Sequence, residues 1–356
     1  MTTTLEQPTR QLPGRVVRTR SGRFSFRIDL RATIVCVILV AASLAVAVVS
    51  IGTGDFPIPI PDVVRTLLGE GTRATEFVVL TLRLPRVLTA LLVGGALGIS
   101  GAMFQSLSRN PLGSPDIIGF TTGSATGALI ALLILNLGTM AVAGFAVAAG
   151  IVTALLVYLF AWKRGVQGYR LVLVGIGVSA VLTSVNSYLL TRAEVHDAQS
   201  AAVWLTGSLN GRGWEHVQPV SIALLLLVPA ALFFGRIMSM LEMGDDAARA
   251  LGVNAERSRL GLIVLAVAMT AVATASAGPV GFIALAAPQL ARRLTKRPGV
   301  GLFSSLLMGA FLLAVSDLAA QRLLAPTQLP VGVMTGAVGG CYLAWLLARE
   351  WRSGRS

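Results

Sequence analysis

The residue types that usually carry chemistry are scarce in this chain, and their spacing excludes most enzymatic schemes. Its two histidines, His196 and His216, fall in one polar loop with Glu194, Asp197 and Glu215, at spacings that match no metal-ligand pattern. They read as solvated loop residues, and no metal site or resident cofactor is expected. No nucleophile elbow or catalytic carboxylate pair is present, and G-x-x-x-x-G-K-[ST] is absent, so the chain has no P-loop of its own for ATP. One carboxylate, Asp317, sits in an apolar run about one turn from its end. It is either a proton-coupling group for a carrier working alone or a capping or pairing group near the membrane interface. A milder feature is the stripe Ser179, Thr183, Asn186 and Ser187, which fall on one face of a helix. Such a stripe suits either a translocation pathway or hydrogen bonds to neighbouring helices.

The densest polar cluster is "LEMGDDAARALGV", residues 241–253. Asp245 and Asp246 stand in what reads as a first helical turn, where the helix dipole favours anions, and Gly252 stands where that helix would stop. Asp245 and Arg249 are four apart and are expected to pair. Ala248 and Leu251, at i and i+3, are expected to share a face that fits a shallow groove. A short polar helix of this kind in an apolar chain reads as a handle for another protein.

These residues must be positioned by membrane helices. Of 356 residues, 54% are hydrophobic and 13% charged, against about 25% charged in ordinary soluble domains. The net charge of +13 does not indicate nucleic acid, because the basic residues fall between apolar runs instead of forming a patch. Ten apolar segments can be marked, at about 30–51, 85–107, 117–136, 139–162, 170–191, 217–235, 258–276, 280–292, 302–321 and 332–349. The eighth follows "SAGPVG" and reads as a broken helix. The polar stretches are 1–29 and the loops near 51–84 and 191–217. The expected organisation is a basic cytoplasmic tail, 1–29, and an all-α polytopic permease domain, 30–351.

With ten crossings and the N-terminus inside, 22 of the 29 Lys and Arg lie inside and seven outside, the bias of the positive-inside rule. Both termini and the 244–253 helix are then cytoplasmic, and the chain belongs in the inner (plasma) membrane among its lipids. Small residues at helical spacing, Gly119, Gly123, Gly127 and Gly332, Gly336, Gly340, predict close helix contacts. Cys36 and Cys341 lie inside apolar segments and read as packing residues.

Several long motifs, in order, resemble the permeases of ABC importers that take up iron-siderophores, haem and cobalamin. "LRLPRVLTALLVGGALGISGAMFQSLSRNPLGSPDIIG" (82–119) is similar to that family's R-x-P-R, G-x-x-L-x-x-S-G-x-x-x-Q and N-P-L signature. "LEMGDDAARALGV" resembles its coupling helix, "SAGPVGFIALAAPQLARRL" (276–294) its broken helix and "LPVGVMTGAVGG" (329–340) the start of its last helix. The resemblance covers nearly all of residues 30–350.

It implies a permease working in a pair, with two cytoplasmic ATP-binding subunits that hold ATP and Mg, and one external substrate-binding protein. Gly244, Asp245, Asp246, Ala248, Arg249, Leu251, Gly252 and Val253 map to the ATPase contact. Arg83 and Arg86 match the arginines that pair with glutamates on the binding protein. The position of a third is occupied by Gln321, with Arg322 one residue later, about 100° around a helix. Pro288-Gln289 and Gly339-Gly340-Cys341 stand where the family often has Pro-His and Gly-x-Pro. Both resemble subunits that pair with a non-identical homologue in ferric-enterobactin-like systems, which favours a heterodimer. The expected function is ATP-driven import of a chelated iron-siderophore or similar metal chelate; the alternative is a stand-alone proton-coupled transporter using Asp317. The loop "WLTGSLNGRGW" (204–214) reads equally as an outer gate or as a packed connection.

Overall fold

The computed structural model describes residues 15–18, 25–162, 168–296 and 299–353. Lys163, Arg164, Arg297 and Arg355, counted above in the charge bias, lie outside the described residues, as does most of the tail. The tail contributes an antiparallel hairpin, β1 (Arg15–Arg18) with β2 (Ser25–Ile28), in which Arg15 faces Ile28 and Arg18 faces Ser25.

The remainder is helical. Helix α1 (Leu30–Gly52) opens where the Asp29 carboxylate accepts from the amides of Arg31 and Ala32, at 3.0 and 3.3 Å. It is peripheral, and Leu30, Val37 and Leu44 on its outer face stay exposed, as a lipid-facing helix requires. A short helix, α2 (Ile60–Leu67), follows. Helix α3 (Arg73–Ser108) is the axis of the bundle, with 83% of its most apolar window buried. Its start lies well before the expected 85, because Arg73–Glu76 runs into a π-helical segment, Phe77–Arg83, and on into Leu84–Ser108. The extra residue per turn in such a segment re-aims the side chains that follow it. The segments read as loops near 51–84 and 191–217 therefore contain helices.

Glycine lets neighbours touch the α3 backbone. A Cβ on Gly94 would stand 2.3 Å from the Gly309 carbonyl oxygen, one on Gly98 2.1 Å from that of Ser305, and one on Gly101 1.8 Å from that of Ala284. Small residues are used this way where lipid gives helices no hydrophobic drive to associate.

Helices α4 (Phe120–Ile134), α5 (Thr139–Ala161), α6 (Gly168–Arg192), α7 (Val195–Leu205) and α8 (Trp214–Glu242) follow. After the short α9 (Asp245–Ala250), α10 (Ala255–Ala277) starts at the Asn254 cap and stops at Gly278, whose φ of +75° ends the helix. The expected break is present: four more residues precede α11 (Ile283–Thr295). Helices α12 (Leu302–Arg322) and α13 (Val331–Ser353) complete the chain. Among the described residues seven helices are long and apolar enough to cross a membrane. With α4, α11 and α13, they occupy the ten expected positions.

Candidate functional site: a tethered polar foot and a cationic mouth

The two ends of the bundle differ in chemistry. At one end Gly244, with φ +112°, turns the chain out of α8 and starts α9, and Gly252, with φ +81°, turns it back toward α10. Both torsions favour glycine, so the sequence fixes a foot of six helical residues between two backbone reversals. Ala248 is fully buried against the helices above, whereas Leu251 is 58% exposed just past the helix end. The expectation that these two share a face is corrected: the helix stops at Ala250, and Leu251 points away from the bundle. Val253 is half-buried against the core.

The expected Asp245–Arg249 pair is also replaced. Arg249 lies 3.6 Å from Asp246, with both side chains largely exposed. Asp245 instead accepts from Arg259 on α10 and from Arg109 at 3.1 Å. Arg109 caps α3 in the left-handed region, φ +50°, and donates as well to the Leu241 carbonyl at 2.9 Å. Ser106 donates to Glu242 at 3.0 Å. Partial burial pushes the Asp245 carboxyl up, but the Arg259 hydrogen bond and charge, with Arg109 behind them, hold it below the ordinary carboxylate value. The foot is thus tied by charge to α3 and α10, and it presents Met243, Asp246, Arg249, Leu251 and Gly252 outward. Sequence reasoning missed Arg109 and Arg259; the signal it had was their basic character beside an acidic segment.

At the opposite end Arg83, Arg86, Arg212 and Arg322 line one cavity of about 400 Å³ with Asp55 and Gln328. Arg83 donates to the Ile51 and Phe56 carbonyls at 2.6 and 2.7 Å, anchoring the chain that leaves α1. Arg86 holds Asp317 through Nε at 3.0 Å and Nη2 at 2.9 Å, and donates to Gln328 at 3.0 Å. Gln321 donates to the same carboxylate at 2.8 Å. Asp317 is 1% exposed. It is a paired group, which removes the free acid that the stand-alone reading requires. Arg322 reaches the same cavity despite its shifted register, and its buried Nε has no partner.

His216 does not sit in solvent as expected. It occupies the first turn of α8, 9% exposed, with Nε2 2.9 Å from Arg212. His196 is exposed. Residues 204–214 form a packed connection: the Ser208 amide donates to Ala277 at 2.8 Å, Gly332 donates to Gly207 at 3.1 Å, and the Trp214 indole donates to Leu80 at 2.9 Å.

Between the two ends, the polar stripe of α6 is divided. Ser179 and Thr122 on α4 exchange a hydrogen bond at 3.1 Å, and Asn186 is 7% exposed. Thr183 and Ser187 stay exposed and bond to carbonyls of their own helix. Asn186 lines a cavity of about 250 Å³ with Asp116, Thr121, Pro279 and Gly281 of the broken-helix segment. Asp116 accepts from Thr121 at 2.7 Å. Its second oxygen and the Asn186 side-chain oxygen are buried without partners. Asp116 escaped the sequence reading because it lies just outside an apolar run; only the packing of α4 against the broken helix buries it. Gln105 and Gln289 form another polar knot, joining α3 to α11 at 2.9 Å. Among the described residues no group of three metal-ligating side chains occurs.

A ten-position helical bundle with one tethered foot has the architecture of a transport permease. The chain belongs to the FecCD transport family, which it matches over residues 39–349. It is 47% identical over 325 residues to the ferric enterobactin transport system permease protein FepG of Escherichia coli (strain K12), covering 91% of this chain and 98% of that one. It is 37% identical over 321 residues to the Fe(3+) dicitrate transport system permease protein FecD of the same organism, covering 89% and 99%. Among solved structures, a metal-chelate type ABC transporter in an inward-facing conformation superposes with a TM-score of 0.81 at 27% identity, covering 89% of this chain and 99% of that chain.

Proposed function

We propose that this chain is the membrane-spanning half of an ATP-driven importer that carries an iron-siderophore, of the ferric-enterobactin type, into the cytoplasm. ATP and Mg are bound by two cytoplasmic ATP-binding subunits, each permease of a pair seating one of them on its foot. An external binding protein delivers the chelate to the mouth lined by Arg83, Arg86 and Arg322. Both termini face the cytoplasm. The iron arrives already chelated and is cargo.

The observation that carries this reading is the Asp245 tether. A foot joined by ion pairs to α3 and α10 transmits a push on α9 directly to the axis of the bundle, so closure of an ATPase dimer becomes rigid-body tilting. Asp246 and Arg249 give register through charge, and Leu251 supplies the apolar contact. ATP shifts the access equilibrium because it binds the two states of the ATPase differently. The second permease covers α6 and α13, whose Ile176, Val181, Val333 and Val338 are exposed in the single chain. The departures at Gln289 and Cys341 favour a non-identical partner.

The test is co-purification. Leu251→Asp and Gly252→Trp should abolish ATPase capture and transport while the chain still inserts. Intact complexes from both variants would reject the assignment of the foot.

A further inference from the structure

The geometry points to a binding site for an anionic phospholipid, in a cavity of about 770 Å³ between the ends of α1, α8, α11 and α12. This site is on the same end of the bundle as the foot but does not include it. Its size is within the range of about 300–1,000 Å³ typical of small-molecule sites.

The polar side of the cavity is specific in what it lacks. Arg236 of α8 and Arg292 of α11 both line it, and the Nε and Nη2 of Arg292 are buried with no partner. The nearby hydroxyls are already spent as donors within their own helices: Ser239 to Gly235, Thr295 to Ala291 and Ser304 to Gly301. The carboxylate there, Asp29, caps α1 through Oδ1, and its one charge stands against the two of Arg236 and Arg292. The cavity also receives the first turn of α12, a helix of 21 residues with no side-chain cap, whose leading amides carry partial positive charge. The donors left unpartnered are therefore guanidinium and amide N–H. The ligand that satisfies these groups is an acceptor-only anion, and a phosphodiester fits the guanidinium fork.

A free phosphate does not account for the rest of the lining. Leu232, Val300, Leu302 and Phe303 form its other walls, with Phe303 53% exposed. Next to it, α1 exposes Ile34, Val37 and Ile38. A headgroup held between Arg236 and Arg292 would leave its acyl chains along that apolar face. Basic pockets between transmembrane helices on the cytoplasmic side bind lipid head groups in this manner. The leaflet depends on the orientation proposed above; the chemistry of the site does not.

The experiment is native mass spectrometry of the full-length chain, delipidated in detergent and then given phosphatidylglycerol or phosphatidylethanolamine. The wild type should retain one phosphatidylglycerol and discriminate against the zwitterionic lipid. The double variant Arg236→Gln/Arg292→Gln should lose at least tenfold in retention. Gly235→Trp fills the cavity without changing charge: a Cβ there first meets Leu302 at 3.4 Å, an ordinary contact. It should give the same loss, and it serves if the double variant does not fold. Equal retention by wild type and Gly235→Trp, or equal binding of both lipids, overturns the site. Displacement by millimolar inorganic phosphate overturns the lipid in favour of a free anion. Neither ATPase capture nor transport enters the readout, so failure here leaves the importer reading standing.

Discussion

Arg86 and Asp317, 231 positions apart, form a two-pronged ion pair at the mouth of the bundle, with side-chain exposures of 13% and 2%. Breaking such a pair strands a buried charge, at a cost of about 3–5 kcal/mol, whereas replacing both partners by apolar residues is far milder. Asp317→Asn should therefore lower the thermal stability of the purified chain much more than Arg86→Leu/Asp317→Leu does. If Asp317 were a coupling acid, the double variant would abolish transport even though it folds. The pairing leads instead to the expectation that transport falls only as far as lost stability and the loss of one mouth arginine require, which an uptake assay beside a melting curve and a docking measurement would decide.

The Asp245 tether has a pH dependence of defined sign. Its carboxyl is held below the ordinary value by Arg259 and Arg109, so the attachment of α9 is complete above the unfolded-state pKa of about 3.9. It is lost as pH falls through the lower folded value. Amide exchange in 245–250 should be insensitive to this group between about pH 5 and 8 and rise only in stronger acid. Asp245→Asn should reproduce the acid state at neutral pH. Because the side chain is one-third exposed, solvent screening limits the effect to roughly 1 kcal/mol or less, a few-fold in exchange.

How far the sequence reaches depends on how local each cause is. Span positions follow from runs of apolar residues, and the break near 278 from Gly278 with Pro279, so both were legible. The foot was legible because an acidic turn is conspicuous in an apolar chain. Its ties were not: Arg109 lies 136 positions before Asp245, and the local Arg249 stands beside Asp246 instead. The same holds for Arg86 with Asp317, where two separate apolar runs conceal the pairing. Asp116 became an interior group only through the fold. The π-helical segment before Leu84 has no local pattern of its own; it sets where Arg83 and Arg86 face.

Of the three mouth arginines, Arg83 and Arg86 are held by acceptors within the chain, so Arg322, which lines the same cavity, is the one left to meet a carboxylate on a docking protein. Arg322→Glu should weaken binding-protein docking about tenfold at low salt, with the difference shrinking as ionic strength rises and the Debye length contracts. Arg83→Glu should also loosen residues 51–56, because its two carbonyl contacts are lost; exchange protection there separates this effect from docking. An unchanged affinity in Arg322→Glu across salt concentrations, measured by surface plasmon resonance, would remove Arg322 from the docking set.

Glycines at the two ends of the helix order should respond oppositely to enlargement. A side chain on Gly98 meets the Ser305 carbonyl at 2.1 Å, whereas one on Gly340 meets nothing within 4 Å. Gly98→Val forces α3 and α12 apart and should cost about 3 kcal/mol or more, seen as loss of folded chain after extraction. Gly340→Leu should leave the melting temperature of the isolated chain unchanged. If a second permease covers α13, the same change blocks close approach of its helices and should abolish pairing in a two-tag pull-down. Retained pairing in Gly340→Leu would place the partner on another face of the bundle.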